Sequence, residues 1–209
     1  MRSIKGEIAW VTGAGTGIGE AAALALAADG AKVILTGRRA APLEDVARRI
    51  KAQGGTAEVR AGDLSKAATV DRLAGEIRSA HGRLDILVSN AGLNIPDRSW
   101  KRLTPEGIDT LVSGNLSSAI YVARACIPIM REQGGGVMIH TSSWAGRWVG
   151  AVAGPIYTAA KHGVVAMSHS INLEECQNNI RSSVVCPGEV ATPIMKLRDP
   201  PEPPEIMAR

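Results

Sequence analysis

The chain has 209 residues, of which 45% are hydrophobic, 21% charged and 3% aromatic, with no phenylalanine and a formal net charge of +4. These proportions are typical of a soluble globular domain whose core is built from small aliphatic side chains. No run of Lys and Arg exceeds two residues and no aromatic residues are interleaved with them, which argues against a nucleic-acid-binding surface. The longest apolar run, Ala21–Ala28, is too short to cross a bilayer, and Met1–Trp10 lacks the apolar segment of a signal peptide.

The three cysteines are odd in number and lack the spacing of a metal site or a disulfide framework. The four histidines show no ligand spacing either. We therefore predict a cytoplasmic protein with reduced thiols, no bound metal, and neither a membrane nor a nucleic acid as partner.

Short apolar runs that predict β-strands alternate along the chain with longer helical patterns. The six predicted strands are Ile8–Val11, Lys32–Thr36, Ala57–Ala61, Ile86–Ser89, Val137–Thr141 and Ser183–Cys186. The five predicted helices are Ile18–Asp29, Pro42–Gln53, Lys66–Ala80, Thr104–Gln133 and Tyr157–Glu175. Apolar strands separated by helices are typical of parallel strands joined by right-handed crossovers. The pattern predicts one α/β domain over residues 1–198, with a doubly wound Rossmann-type sheet, and a proline-rich tail over residues 199–209.

A glycine-rich segment, Thr12–Gly19, joins the first predicted strand to the first predicted helix. Glycines at such a junction permit a tight turn and let the backbone approach a pyrophosphate at the N-terminus of the helix. Glycine-rich turns are common, so the argument depends on the position of this one at the first strand–helix junction. The residues of the predicted dinucleotide site here are Gly13, Thr16, Gly17, Ile18 and Gly19.

The second predicted strand is followed by Arg38 and Arg39, at the place where an NAD-binding fold carries an acidic residue for the ribose 2′-hydroxyl. Two guanidinium groups can instead pair bidentately with a 2′-phosphate. The alternative is that both arginines only solvate the start of a helix. We favour NADP(H) as the cofactor and keep NAD(H) as the alternative.

A Tyr-x-x-x-Lys pattern at Tyr157 and Lys161 completes a set of motifs that resembles the short-chain dehydrogenase/reductase family over nearly the whole chain. The other matching pieces are Thr12–Gly19, Asp63-Leu64, Ser89-Asn90-Ala91-Gly92, Asn115-Leu116, Ser142-Ser143 and Pro187-Gly188. Any one piece alone is weak, whereas seven in register are specific. The resemblance implies a Rossmann-type fold and hydride transfer between a nicotinamide dinucleotide and a carbonyl or alcohol.

The catalytic residues implied by this resemblance centre on Tyr157. Tyr157 and Lys161 differ by four positions, so on a helix they lie one turn apart on one face. Because an ammonium stabilises a phenolate, we expect the pKa of Tyr157 to fall, and Tyr157 to act as general acid in reduction and general base in oxidation. The resemblance implies that Lys161 also holds the nicotinamide ribose, that Ser143 orients the substrate oxygen and that Asn115 anchors a water that relays protons. Ser142 stays open as the alternative to Ser143.

The resemblance also implies further contacts to the cofactor. Asp63 with Leu64 resembles the family's adenine contact, although Asp63 alone could be an ordinary helix N-cap. Asn90 and Gly92 resemble the turn at which the cofactor passes the fourth strand. The residues that resemble the segment receiving the nicotinamide carboxamide are Pro187, Gly188, Val190 and Thr192.

Several apolar residues follow motifs that border the substrate pocket in the family, which predicts an apolar ketone or secondary alcohol as the small-molecule substrate. These residues, which could equally be ordinary loop or core residues, are Leu93, Trp144, Trp148, Val149, Ile194 and Met195. Two other functions stay open. One is a 3-oxoacyl thioester reductase of fatty-acid synthesis, which shares every motif quoted, and the other is a non-catalytic NADP(H) sensor that signals through a partner.

Two further expectations concern the end of the chain and its assembly. Family members usually continue past the Pro-Gly motif with a lid, a helix and a seventh strand, whereas this sequence stops at Arg209. We therefore expect a fold without that strand, in which Ser183–Cys186 forms an exposed sheet edge. Helices Thr104–Gln133 and Tyr157–Glu175 carry apolar residues on more than one face, and the family pairs these helices across a symmetry axis. A homodimer or homotetramer is expected.

Overall fold

In a computed structural model, which describes residues 3–192, parallel β-strands alternate with helices. The strands are β1 (Ile8–Thr12), β2 (Lys32–Thr36), β3 (Thr56–Val59), β4 (Ile86–Ser89), β5 (Gly136–Thr141) and β6 (Ile180–Val185). The α-helices are α1 (Gly17–Ala28), α2 (Ala40–Ala52), α3 (Ala67–His81), α4 (Pro105–Val112), α5 (Ser118–Glu132) and α6 (Pro155–Glu175). The predicted domain boundary at residue 198 and the predicted tail lie outside the described residues. Within the described range, no helix combines the length and the apolarity needed to cross a bilayer.

The strands form one sheet in the order β3-β2-β1-β4-β5-β6, and every neighbouring pair is parallel. The chain builds outward from β1 to β3, then returns to the other side of β1 and builds outward again from β4 to β6. This reversal opens a crevice beyond the carboxyl ends of β1 and β4, where ligands bind in sheets of this kind. The predicted doubly wound Rossmann-type fold in a single domain is confirmed.

The sheet is buried on both faces because alternate side chains of its central strands enter two separate cores. Trp10 and Leu87 pack with α3 and α5 on one face, and Val11 and Val88 pack with α1 and α2 on the other. Trp10 is fully buried, and its indole N–H donates to the hydroxyl of Thr36 at 2.9 Å. A large aromatic ring with a satisfied polar group stabilises the middle of the sheet. The strand ends that carry the site therefore stand on a tightly packed base.

The predicted helix Thr104–Gln133 is interrupted, so the prediction of one continuous helix was wrong. A π-helical turn, Ser113–Ser117, separates α4 from α5. Within this turn the Asn115 carboxamide donates to the carbonyl of Leu111 at 2.9 Å, four residues earlier. In an α-helix that carbonyl would accept the main-chain N–H of Asn115, so the side chain displaces the backbone bond and widens the turn.

β6 lies at an edge of the described sheet and begins three residues before the predicted strand Ser183–Cys186. The N–H of Ser142 donates to the carbonyl of Val185, so this carbonyl of β6 faces β5 and the peptide groups of Ser182 face outward. Asn172 of α6 binds both of those groups: its amide donates to the Ser182 carbonyl at 2.7 Å and its oxygen accepts the Ser182 N–H at 2.8 Å. A side chain of α6 thus covers the middle of the edge that the sequence predicted to be open.

Candidate active site

The glycine-rich segment turns from β1 into α1 at the crevice between β1 and β4. Gly13 has a φ of +63°, and a Cβ there would lie 3.0 Å from the Cα of Ala91. A Cβ on Gly19 would collide with the carbonyl oxygen of Gly13, so α1 can approach the turn this closely only with glycine. The N–H groups at the start of α1, from Gly17 onward, lie beside this turn and can bind an anion.

Thr12 joins the glycine turn to the end of β4. Its hydroxyl accepts hydrogen bonds from the N–H groups of Asn90 at 2.9 Å and Ala91 at 3.0 Å. The Asn90 carboxamide in turn donates to the carbonyls of Thr12 at 3.3 Å and Gly13 at 3.4 Å. Asn90 therefore fastens the two strand ends that border the crevice, in addition to lining it.

A cleft of about 500 Å³ extends over the carboxyl ends of the central strands. Its volume lies within the usual range for a cofactor or substrate site. Gly19 lies beneath the turn, and every other residue predicted to contact the cofactor lines the cleft. Those residues are Gly13, Thr16, Gly17, Ile18, Arg38, Arg39, Asp63, Leu64, Asn90, Gly92, Tyr157, Lys161, Pro187, Gly188, Val190 and Thr192.

Arg38 and Arg39 are exposed where the chain leaves β2, and Asp63 lies in the same part of the cleft. Burial raises the pKa of Asp63, but hydrogen bonds from Ser65 and the positive charge of Arg38 outweigh it and hold that pKa below its ordinary value. Asp63 accepts the N–H of Ser65 at 3.0 Å and its hydroxyl at 2.8 Å. The N-cap of α3 is Lys66, so Asp63 stabilises the preceding turn and is not the cap.

Ser143, Tyr157 and Lys161 meet at the carboxyl end of β5, in the same cleft. Tyr157 lies in the first turn of α6, and its hydroxyl hydrogen-bonds to that of Ser143. The Ser143 hydroxyl also accepts the N–H of Ala145 at 3.1 Å, which leaves its own proton available to donate. The Lys161 ammonium lies 5.5 Å from the centroid of the Tyr157 ring and donates to the carbonyl of Thr141 at 2.9 Å.

The two serines that the sequence left open have different surroundings. Ser142 is buried, and its hydroxyl donates to the main-chain carbonyl of Lys161 at 2.9 Å. Ser143 is half-buried, and its hydroxyl lies beside that of Tyr157. Ser142 therefore ties the end of β5 to α6, and Ser143 is the serine whose hydroxyl adjoins the phenol.

The pKa values of the site are governed by burial. Burial raises the pKa of Tyr157 above its ordinary value, and the hydrogen bond from Ser143 and the charge of Arg98 oppose this only in part. Burial also lowers the pKa of Lys161 to about 8, against the effect of nearby Cys186. The expected fall in the pKa of Tyr157 was therefore wrong in direction, because enclosing the phenolate removes more hydration than these neighbours replace. At neutral pH Tyr157 is a phenol that can donate its proton.

Asn115 is fully buried and lies behind the cleft wall. Its amide donates to the carbonyls of Leu93 and Leu111, both at 2.9 Å, and its oxygen accepts the N–H of Leu93 at 3.0 Å. Both N–H groups of the side-chain amide thus donate within the protein. Only the oxygen atoms of Asn115, in its side chain and its main chain, could accept a hydrogen bond from the predicted water. A Cβ on Gly92 would lie 3.0 Å from this Oδ1 and 3.3 Å from the Lys161 Nζ, so the two groups adjoin through that glycine.

Not every residue near the site carried a signal in the sequence. Leu93 lines the cleft as predicted, whereas the exposed Trp144, Trp148 and Val149 are absent from its described lining. Ile194 and Met195 lie outside the described residues.

Sequence reasoning missed Arg98, whose side chain acts on Tyr157 but belongs to no motif. The carbonyl of Thr141 was also missed, since a main-chain group leaves no mark on the sequence.

Comparison with known proteins is consistent with this geometry. The family model described as short chain dehydrogenase matches residues 7–202. The chain is 36% identical over 197 residues to the D-beta-hydroxybutyrate dehydrogenase of Cupriavidus necator, covering 92% of this chain and 74% of that protein.

The chain is also similar in fold to solved structures of oxidoreductases. A metagenomic short-chain oxidoreductase in complex with NADP has a TM-score of 0.85 and 39% identity, covering 90% of this chain and 85% of that chain. A 3-ketoacyl-ACP reductase from Sinorhizobium meliloti has a TM-score of 0.83 and 36% identity, covering 87% of this chain and 71% of that chain. Because the family model spans nearly the whole sequence, the chain belongs to the short-chain dehydrogenase family of NAD(P)-dependent oxidoreductases.

Proposed function

We propose that this enzyme uses NADP(H) to reduce a ketone or aldehyde, or to oxidise the corresponding alcohol, with Tyr157 as the general acid or base. The observation that carries the proposal is the meeting of Ser143, Tyr157 and Lys161 in the cleft that the glycine turn borders. The cofactor, when bound, supplies or accepts the hydride. The protein must then bind the two reactants, orient the carbonyl and move one proton.

The glycine turn and the two arginines support a dinucleotide with a 2′-phosphate. Gly13 and Gly19 leave a bare backbone at the start of α1, where a pyrophosphate is favoured. Arg38 and Arg39 would pair with the 2′-phosphate, and the similar metagenomic oxidoreductase was solved with NADP. The remaining proposed cofactor contacts are Thr16, Gly17, Ile18, Asp63, Leu64, Asn90, Gly92, Pro187, Gly188, Val190 and Thr192.

Each catalytic side chain has a role that its contacts support. Tyr157 carries its proton at neutral pH and would donate it from Oη to the substrate oxygen, which the Ser143 hydroxyl orients. Lys161 uses one N–H on Thr141 and keeps two, which would hold the nicotinamide ribose. The Asn115 oxygen, close to the Lys161 ammonium, would anchor a water that returns the proton.

The substrate is proposed as a small, largely apolar carbonyl compound, because the apolar Leu93 lines the same cleft as Tyr157 and Ser143. A second candidate is a 3-oxoacyl thioester, which the 36% identity to a 3-ketoacyl-ACP reductase favours. The D-beta-hydroxybutyrate dehydrogenase adds short hydroxy acids to the compounds worth testing.

The test uses the two tyrosines of the chain, Tyr157 and Tyr121. NADPH absorbance is followed with ketones, 3-oxo acids and a 3-oxoacyl thioester. Tyr157→Phe removes only the hydroxyl, so turnover should fall about 10²–10⁴-fold while NADPH affinity stays unchanged. Tyr121→Phe, on α5, is the matched control and should keep full turnover. Lys161→Met should lose turnover and also bind NADPH more weakly.

The outcomes separate the candidate functions. If the Tyr157→Phe variant turns over an identified substrate as fast as the wild type, the proposed chemistry is contradicted. Tight NADPH binding by the wild type with no turnover of any compound would favour a cofactor sensor instead.

A further inference from the structure

The loop that follows β4 docks against the start of the catalytic helix α6. The Asn94 carboxamide donates to the carbonyl of Ala153 at 3.1 Å. Further along the loop, Arg98 packs on Gly154, where a Cβ would lie 2.8 Å from the Arg98 oxygen and 2.9 Å from its Cβ. Gly154 has a φ of +81° and immediately precedes α6. Only glycine can hold this conformation and admit the Arg98 backbone so closely, and Tyr157 follows three residues later.

Arg98 is itself buried, with 6% of its surface exposed. Its main-chain N–H donates to Pro96 at 3.0 Å and its guanidinium donates to the carbonyl of Ile95 at 3.2 Å, so the loop folds back on itself around the side chain. Burying a guanidinium is unfavourable unless its surroundings compensate the charge. The position of this cation is therefore set by the fold, in contrast to exposed Arg147 on the neighbouring loop.

Three elements bring charged or titratable groups to Tyr157 and its partner Lys161. Lys161 comes from the same helix, Arg98 from the loop after β4, and Cys186 from the segment after β6, where it acts on Lys161. Arg98 is the cation whose charge favours the ionised form of Tyr157. Lys161, with a pKa of about 8, loses its charge in mild alkali, whereas an arginine stays charged at every accessible pH.

We propose that Arg98 is a positioning residue for Tyr157: packed against Gly154, it keeps a permanent positive charge at the start of α6 and stabilises the anion left when Tyr157 gives its proton to the substrate. In that step the O–H bond of Tyr157 breaks and an O–H bond forms on the substrate oxygen, while the hydride from the cofactor completes the reduction of the carbonyl. The inference rests on the proposed acid–base role of Tyr157, but the titration of Tyr157 that tests it does not require a substrate.

The ionisation of Tyr157 can be read directly, because tyrosinate absorbs in the ultraviolet and the chain has two tyrosines. Tyr157→Phe assigns the signal, and circular dichroism marks the pH range in which the protein stays folded. In Arg98→Gln the titration of Tyr157 should move upward by about half a unit or more, because a neighbouring positive charge is lost. Arg147→Gln removes an exposed cation from the next loop and should leave the titration unchanged.

Arg98→Lys gives a signature that a merely structural role would not produce. A lysine keeps the positive charge at neutral pH and loses it in alkali, at or below its ordinary pKa of about 10.4, because burial favours the neutral amine. Turnover at neutral pH should therefore match the wild type, while the fraction of Tyr157 ionised at about pH 11 falls as in Arg98→Gln. This variant keeps the proposal testable even if Arg98→Gln does not fold.

An unchanged Tyr157 titration in folded Arg98→Lys would overturn the inference. This outcome is distinct from failure of the proposed function, which shows as turnover retained by Tyr157→Phe or as no turnover of any compound by the wild type. An equal fall of turnover at neutral pH in Arg98→Gln and Arg98→Lys would also overturn the inference. The cause would then be the changed shape of the side chain, because Arg98→Lys keeps the charge.

Discussion

Burial acts in opposite directions on the pKa values of the two residues at the centre of the site. The pKa of Tyr157 is raised and that of Lys161 is lowered to about 8, so that both changes favour the neutral side chains. At neutral pH Tyr157 holds its proton while Lys161 is still mostly charged. This state suits donation to a carbonyl, and the rate of the reverse oxidation should rise with pH as Tyr157 ionises.

Arg38 is the residue on which the choice of cofactor depends most. Arg38→Ala should weaken NADPH binding by the contribution of one charge-assisted hydrogen bond, about 1.5–3 kcal/mol, or roughly ten- to over a hundredfold. NADH, which lacks the 2′-phosphate, should be bound almost as before. The measurement is a titration of each cofactor by protein fluorescence.

Arg48→Ala is the control for Arg38→Ala, since Arg48 is an exposed arginine of α2 that pairs with Asp45. Because Arg39 lines the same part of the cleft, the double variant of Arg38 and Arg39 should lose more affinity than either single one. Equal losses for NADPH and NADH would show that Arg38 contacts no 2′-phosphate.

Among the elements, the α4–α5 region departs furthest from its prediction. The sequence predicts one helix because its apolar pattern continues past Gly114 and Asn115. The carboxamide of Asn115 instead takes the place of a main-chain hydrogen bond to Leu111. It also forms two hydrogen bonds with the main chain of Leu93 at the cleft wall. The side chain that interrupts the helix at Leu111 is thus also held by Leu93, 22 residues earlier in the chain, and periodicity carries no information on such a contact.

Strand β5 carries a histidine that should make stability depend on pH. His140 is fully buried, and neither ring nitrogen has a hydrogen-bond partner in the described part of the chain. Burial lowers its pKa from 6.5 to about 4. The unfolded chain takes up the proton first as pH falls, so the stability is complete above pH 6.5 and declines down to about pH 4, by about 3 kcal/mol in total.

Urea unfolding at a series of pH values measures this decline. His140→Leu fills similar space without a titrating group and should remove most of the loss between pH 6.5 and about 5, above the range in which carboxyl groups titrate. His169→Leu alters an exposed histidine of α6 and should leave the decline in place. A decline that persists unchanged in His140→Leu would show that another group causes it.

At the scale of the whole molecule, α5 and α6 were predicted to pair with a second copy through apolar residues on several faces. Of the residues behind that prediction, Val122, Ala123, Val164 and Ile171 are buried within the single chain. The others are Ile120, which is 42% exposed, and the partly buried Ile127, Val165 and Met167. Leu173 of α6 is 81% exposed and adds to the apolar surface that a partner could cover.

We expect a homodimer or homotetramer in sedimentation experiments at micromolar concentration. Leu173→Asp should shift the protein toward the monomer, because a carboxylate would be buried at the interface. Val149→Asp, at an equally exposed valine of the loop after β5, should not alter the assembly. A wild-type protein that sediments as a monomer would contradict the expectation.

The sequence by itself determined the sheet and the set of residues around the cleft. Alternating apolar strands and helices indicate a doubly wound parallel sheet, and the carboxyl ends of neighbouring parallel strands share one edge of a sheet. Gly13, Asn90, Ser143 and Tyr157 all follow strands or begin helices at that edge, so their meeting could be expected from order alone.

Only the tertiary structure decided how those residues behave. The direction of the pKa shift at Tyr157, the bonds that occupy Asn115 and the place of Arg98 all depend on burial and on contacts between distant segments. The free energy of a charge depends on the solvent and charges around it in space. Neighbours along the chain do not reveal those surroundings, which explains why the sequence brought the candidate residues to one cleft but gave the wrong direction for the pKa of Tyr157.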